Sequence, residues 1–176
     1  MEKEERYKEL IQQAAALFSE EDDLIARMAN LSALLYMHLP HVNWAGFYRN
    51  IHDKLILGPF QGKPACNPIL FGKGVCGTCA ITKKVQCVQN VHEFPGHIAC
   101  DADSKSEIVL PIIEKDTLLG VLDIDSDRYG NFDETKLSKD ITMIDTNITA
   151  LHILTKLFLK DFKQRDHGYI LNVASS

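Results

Sequence analysis

Apolar residues recur at helical spacing over residues 3–18, where Tyr7, Leu10, Ile11, Ala14 and Leu17 line one face and Glu, Lys and Gln fill the other. After a polar break at 19–23 the stripe returns over 24–39 as Leu24, Met28, Leu31, Leu34 and Leu35, and Pro40 stops it. Two amphipathic helices are expected. The pattern then changes to β-rich VNWAGFY over 42–48, turn residues at 50–53, and an apolar run at 54–57, which predicts a hairpin. A clearer hairpin follows in EIVLPII (107–113) and LLGVLDI (118–124), joined by Glu114, Lys115 and Asp116. Beyond it, Asp133 is placed to cap a long helix with Leu137, Ile141, Ile144, Ile148, Leu151, Leu154 and Phe158 on one face. The pattern fades from residue 164, so the last dozen residues are expected to fray.

Residues 58–107, between the two hairpins, break the regularity. They hold all five cysteines amid Gly, Pro and His. Within them the sequence predicts a short helix at 74–83, a short strand at 85–88 and a long loop at 90–105. Long ordered loops in a compact domain usually carry function. No crossover helix separates the main strands, so the expected class is α+β, an antiparallel sheet flanked by N- and C-terminal helices. One domain over 1–163 with a tail at 164–176 is the expected organisation.

Composition narrows the partners. A formal net charge of −5 over 176 residues leaves no basic footprint for nucleic acid or an anionic membrane. The charged start MEKEERYKEL is unlike a secretory leader, and no window approaches the roughly 18 apolar residues of a membrane span. A cytoplasmic protein is expected. An odd number of cysteines in a chain large enough to fold unaided points to reduced, reactive or metal-binding thiols rather than a disulfide framework.

Cys76 and Cys79, twelve residues, then His92 and His97 reproduce zinc-finger spacing. The spacer argues against a finger. Lys83 and Gln89 replace its usual apolar residues, and Pro95 would interrupt a helix carrying both histidines. Nor does a βαβ unit precede the Cys-x2-Cys pair, as a thioredoxin-like couple requires. Cys79 and Cys87 lie among Thr, Ala and Val and read as small apolar residues. Cys66, Cys76 and Cys100 sit in Gly- or Pro-punctuated loops where a thiol can be reached, and the charges around Cys100 conflict: Asp101 and Asp103 oppose ionisation, and a protonated His97 would favour it. Glu107, Asp123 and Asp125 interrupt otherwise apolar strands, with both aspartates on one face. Singly, each fits a structural ion pair as well as a site; together with the thiols they suggest a small cavity for a cation or a proton donor. Trp44, with Phe47 and Tyr48 nearby, would ordinarily be core. His38, His41, His52 and His152 carry no partner pattern.

NWAGFY, LGPFQGKPAC, GKGVCGT, FPGHIACDADSKSEIVLP and GVLDIDS, in this order, resemble the free methionine-(R)-sulfoxide reductases, stand-alone GAF-domain enzymes. The similarity runs over about 10–159. It implies that Cys100 attacks the sulfoxide sulfur, that Cys66 resolves the sulfenic acid as a disulfide, and that Cys76 is a third family cysteine able to exchange disulfides. It places Glu107, Asp123, Asp125, Trp44 and Tyr48 in the substrate pocket, with Glu107 or an aspartate as proton donor and Trp44 against the S-methyl end. Thioredoxin is the implied reductant, with no bound metal or organic cofactor, and the terminal helices offer a surface for a homodimer. The competing expectations are a non-catalytic GAF small-molecule sensor and a thiol redox switch.

Overall fold

The computed structural model describes residues 3–20, 23–98 and 100–132. The helix expected from Asp133 and the tail at 164–176 lie outside them. Helix α1 spans Lys3–Glu20 and α2 spans Leu24–His38, capped by the Asp23 side chain, which accepts from the Ala26 N–H at 2.9 Å. Strands β1 (Val42–Ile51) and β2 (Lys54–Gly62) form the first hairpin, and β5 (Ser106–Glu114) and β6 (Thr117–Ser126) the second. Each hairpin turns on two residues at positive φ, His52 and Asp53 in one and Lys115 and Asp116 in the other. Such turns match the right-handed twist of the strands they join. Between the hairpins lie β3 (Ile69–Leu70), α3 (Gly74–Thr82), β4 (Gln86–Val88) and a single 3-10 turn at Val91–Glu93.

The six strands form one antiparallel sheet in the order β3-β2-β1-β6-β5-β4. The class expected from the element order is the class observed. β2 runs past the expected 54–57 into the cysteine-rich stretch, through Gly58 and Pro59. They fall where the β1–β2 register shifts between Gly46 and Tyr48, a bulge at which a missing N–H costs no ladder bond.

Alternation along the strands gives the sheet two unlike faces. On one, Ala45, Phe47, Ile108, Leu110, Leu122 and Ile124 pack against Leu10, Phe18, Leu31 and Leu35 of α1 and α2. Burying each of these Phe, Leu and Ile side chains contributes about 1.5–3 kcal/mol, so this layer anchors the strands. The opposite face carries Trp44 and Tyr48 on β1, Glu107 and Val109 on β5, and Val121 and Asp123 on β6, under α3. Every strand residue expected at a site lies on this second face.

Gly46 sits between Trp44 and Tyr48 on that face. A Cβ there would overlap the Phe60 side chain and approach the Trp44 ring to 2.6 Å. Gly46→Ala is therefore expected to lower stability by about 1–3 kcal/mol through overpacking and to tilt Trp44 out of place. Urea unfolding together with near-UV circular dichroism of the single tryptophan checks both effects.

Candidate active site

A pocket opens between the second face of the sheet, the start of α3 and the loop before β5. Trp44, Tyr48, Cys76, Cys100, Glu107, Asp123 and Asp125 all line it. Strand register explains how three carboxyls meet here. Asp125 stands opposite both Trp44 and Glu107, and Asp123 stands opposite Gly46 and Val109. Directly opposed side chains on one face lie about 5 Å apart at Cβ, so β1, β5 and β6 present one compact group.

The aromatic wall is also a brace. Trp44 stacks on Phe60 and on Tyr48, with ring centroids 5.3 and 5.9 Å apart. Its indole N–H donates to the Lys63 carbonyl at 3.0 Å, and the Tyr48 hydroxyl donates to the Cys66 carbonyl at 3.0 Å. The loop carrying Cys66 is thus held from beneath. Across the mouth a disulfide joins Cys66 to Cys100, with Cα atoms 5.5 Å apart. Cys100 is exposed and Cys66 half-buried.

Three residues without a sequence signal hold the Cys100 loop: Lys63 ties it to the Cys66 loop, and Asn43 and Ser104 tie it to β1 and β6. The Lys63 ammonium pairs with Asp101 at 3.1 Å and with Asp103. The Asn43 amide donates to the Ser104 hydroxyl at 3.0 Å, and Ser104 in turn bonds to Asp125. Lone polar residues form no repeating pattern, so only the assembled fold exposes their role. The Asp103 backbone N–H, then Lys63 and the Asn43 amide, hold the Asp101 carboxyl below its ordinary range.

Cys76, buried on α3, donates towards Glu107 Oε1 at 3.9 Å. The remaining thiols do not line the pocket. Cys79 donates to the Val109 carbonyl at 3.7 Å, and Cys87 to the Phe132 carbonyl at 3.6 Å. The residues with finger spacing do not converge either. His92 and His97 pack edge to face with centroids 6.3 Å apart, and Cys76, Glu107 and Asp123 are the one group that could hold a metal ion among the described residues.

A GAF-domain family model matches residues 9–141. The free methionine-R-sulfoxide reductase of Escherichia coli is 53% identical over 132 residues, which are 75% of this chain and 80% of that protein. The chain belongs to the free methionine-(R)-sulfoxide reductase family. A second reductase of that name, from Saccharomyces cerevisiae, is 48% identical over 139 residues, 74% of this chain and 77% of its own. The X-ray structure of the Neisseria meningitidis free methionine-R-sulfoxide reductase in complex with its substrate superposes with a TM-score of 0.83 and 36% identity, covering 93% of this chain and 92% of that one.

Burial and mutual repulsion shift the three carboxyls unequally. Burial, then repulsion from Asp123 and Asp125, pushes Glu107 well above the carboxylate range. Asp125 is raised for the same reasons, burial first and then Asp123. Asp123 rises less, to about 6, because Cys76, Glu107 and the Ile124 backbone stabilise its anion against the cost of burial. Burial and mutual repulsion thus favour the protonated form at Glu107 and Asp125 more than at Asp123. Burial and the nearby carboxyls also raise the Cys76 thiol and the Tyr48 phenol, so both stay protonated.

Proposed function

We propose that this protein reduces free L-methionine (R)-sulfoxide to methionine, with Cys100 as nucleophile and Cys66 as resolving thiol. The observation that carries the reading is the Cys66–Cys100 disulfide at the mouth of a pocket floored by Glu107, Asp123 and Asp125. In the first step the Cys100 thiolate takes up the sulfoxide oxygen by attack at sulfur, and one proton is delivered to that oxygen. The products are methionine and a sulfenic acid on Cys100. Cys66 then displaces the sulfenic hydroxyl, which leaves as water, and the disulfide closes.

Glu107 and Asp125, opposed across β5 and β6, serve as the hydrogen-bond and proton donors to the sulfoxide oxygen. Asp123 takes the substrate ammonium. Its Oδ1 has no hydrogen-bond partner among the described residues, as an anion awaiting a cation would. The first amides of α3, at Gly74 to Cys76, lie at the pocket and suit the substrate carboxylate. A peptide-bound methionine has neither charged terminus, which supports the preference for the free amino acid. Trp44 packs on the S-methyl end by sulfur and aromatic contact.

Because Cys100 is exposed, an external dithiol of the thioredoxin type can reach the disulfide and reset it. Chemistry that restores a thiol each cycle fits a reducing cytoplasm. No helix among the described residues is long and apolar enough to cross a membrane. A homodimer would use α1 and α2, whose Leu17, Ile25, Tyr36 and Met37 are exposed. The test is a thioredoxin-coupled turnover assay on the separated epimers: oxidation of the coupled reductant with the free R epimer supports the reading, and equal turnover of R and S contradicts it.

The Asp123 assignment predicts a pH limb. With its carboxyl at about 6, ammonium binding is intact above that pH and is lost as pH falls through it. Glu107 and Asp125 are also raised, by burial first and then by the neighbouring aspartate, which favours their protonated forms. Asp123→Asn is expected to raise KM by roughly 10- to 100-fold and to flatten kcat/KM below neutral pH, which a pH profile of both proteins measures.

Lys63 holds the Cys66 loop to the Cys100 loop by pairing with Asp101 and Asp103. Lys63→Met should slow disulfide closure by about threefold, an effect of the size expected for exposed ion pairs, and leave the first methionine released at the wild-type rate. Rapid-quench counting of methionine and free thiols separates the two steps, and Lys63→Arg should restore closure.

A further inference from the structure

Outside its role in substrate binding, the pocket floor has the makings of a metal site. Cys76 Sγ and one carboxylate oxygen each from Glu107 and Asp123 lie within 4.8 Å of one another. All three side chains are buried, with 3%, 6% and 6% of their surfaces exposed. They are fixed by three different packed elements, α3, β5 and β6, rather than by a loop. Asp123, more than nine-tenths buried, keeps Oδ1 without a hydrogen-bond partner at the pocket. A thiol beside two carboxyls, with a fourth direction open to the pocket, is the donor set of an open tetrahedral site rather than a closed structural one.

We propose that Cys76, Glu107 and Asp123 bind a thiophilic divalent cation of the Zn2+ or Cd2+ class, in competition with the substrate ammonium. The thiolate selects soft and borderline ions over Mg2+ and Ca2+, whose shells need more oxygen donors. Metal–sulfur and metal–oxygen bonds of about 2.3 and 2.0 Å need ligand atoms roughly 3.5 Å apart, so side-chain rotations of about 1 Å complete the site. Binding is a proton exchange with no electron transfer. The Cys76 thiol and the Glu107 carboxyl each release a proton, and the cation takes their place. The cation then occupies the space where Asp123 would meet the ammonium, so metal-loaded enzyme cannot bind substrate.

The experiment uses the full chain in its oxidised form, where Cys66 and Cys100 are tied up in the disulfide and cannot compete. Cd2+ is titrated in, and thiolate-to-metal charge-transfer absorbance is read. The expected result is saturation at one equivalent, loss of the band in Cys76→Ser, affinity weakened at least tenfold in Glu107→Gln, and no change in Cys87→Ser. Melting in chelator shows that Cys76→Ser is folded, and Cd2+ should raise Tm in the wild type and in Cys87→Ser but not in Cys76→Ser. No band, a band that survives Cys76→Ser, or a band lost in Cys87→Ser overturns the site. Competition rests on the proposed substrate pose: added free methionine should displace Cd2+. Displacement failing while the band behaves as expected would overturn the pose and the competition, and leave the metal site standing.

Discussion

Cys100→Ser is expected to form no methionine, even when enzyme exceeds substrate and one turnover would suffice. The loss should be about 10⁴-fold or more, the scale seen when a covalent nucleophile is removed. A serine hydroxyl does not ionise at working pH and is a poor nucleophile towards sulfur, whereas a thiolate attacks it directly. Cys66→Ser should behave differently. Its nucleophile is intact, so one methionine per chain is released and the reaction stops with Cys100 as the sulfenic acid, gaining the mass of one oxygen. With Cα atoms 5.5 Å apart the two cysteines are within disulfide reach, but Cys66 has no electrophile to attack until oxygen transfer has made Cys100 a sulfenic acid. Quantifying methionine and intact mass at a single turnover distinguishes the two variants. Full activity without Cys100, or no first turnover without Cys66, would remove the assigned order of steps.

Glu107→Gln is expected to lower kcat by roughly 10²- to 10⁴-fold, the usual worth of a placed proton donor. The amide keeps the shape and can still donate a hydrogen bond, but it cannot give up a proton to the departing oxygen. Asp125→Asn should cost a similar factor, and the double variant less than the product of the two, because both act on one oxygen. The same change should stabilise the protein. A carboxyl raised in the folded state contributes stability below its unfolded pKa of about 4.3, and that contribution is lost as pH rises towards its folded pKa. Glutamine has no proton to lose, so the variant's advantage in Tm should grow with pH, by about 3 °C for each kcal/mol. A variant with a wild-type rate would show that the proton comes from elsewhere; a variant less stable at every pH would show that Glu107 is structural.

Much of this frame is legible in the sequence because local rules and the fold agree. Helical stripes, two turn-bounded hairpins and Pro40 mark elements that packing then preserves. The strand expected at 54–57 falls short of β2 because Gly58 and Pro59 carry no strand signal, and the bulge that accommodates them depends on β1. The carboxyls stand out since apolar strands rarely carry Glu107, Asp123 and Asp125 without a reason, and a period of two puts both aspartates on one face. What spacing cannot give is the partnership of Cys66 with Cys100, 34 residues apart, which rests on the resemblance until the loops are folded together. Lys63, Asn43 and Ser104 are invisible for a related reason. Each acts through a contact whose partner is at least 38 residues away or on another strand, and none belongs to a repeating pattern.

The most direct measurement reduces the protein fully, removes all reductant, and adds free L-methionine sulfoxide as the separate R and S epimers. With the R epimer, one methionine should appear per chain, and peptide mapping should find Cys66 joined to Cys100. Methionine from both epimers at equal rates, or a disulfide that leaves Cys100 free, would contradict the account.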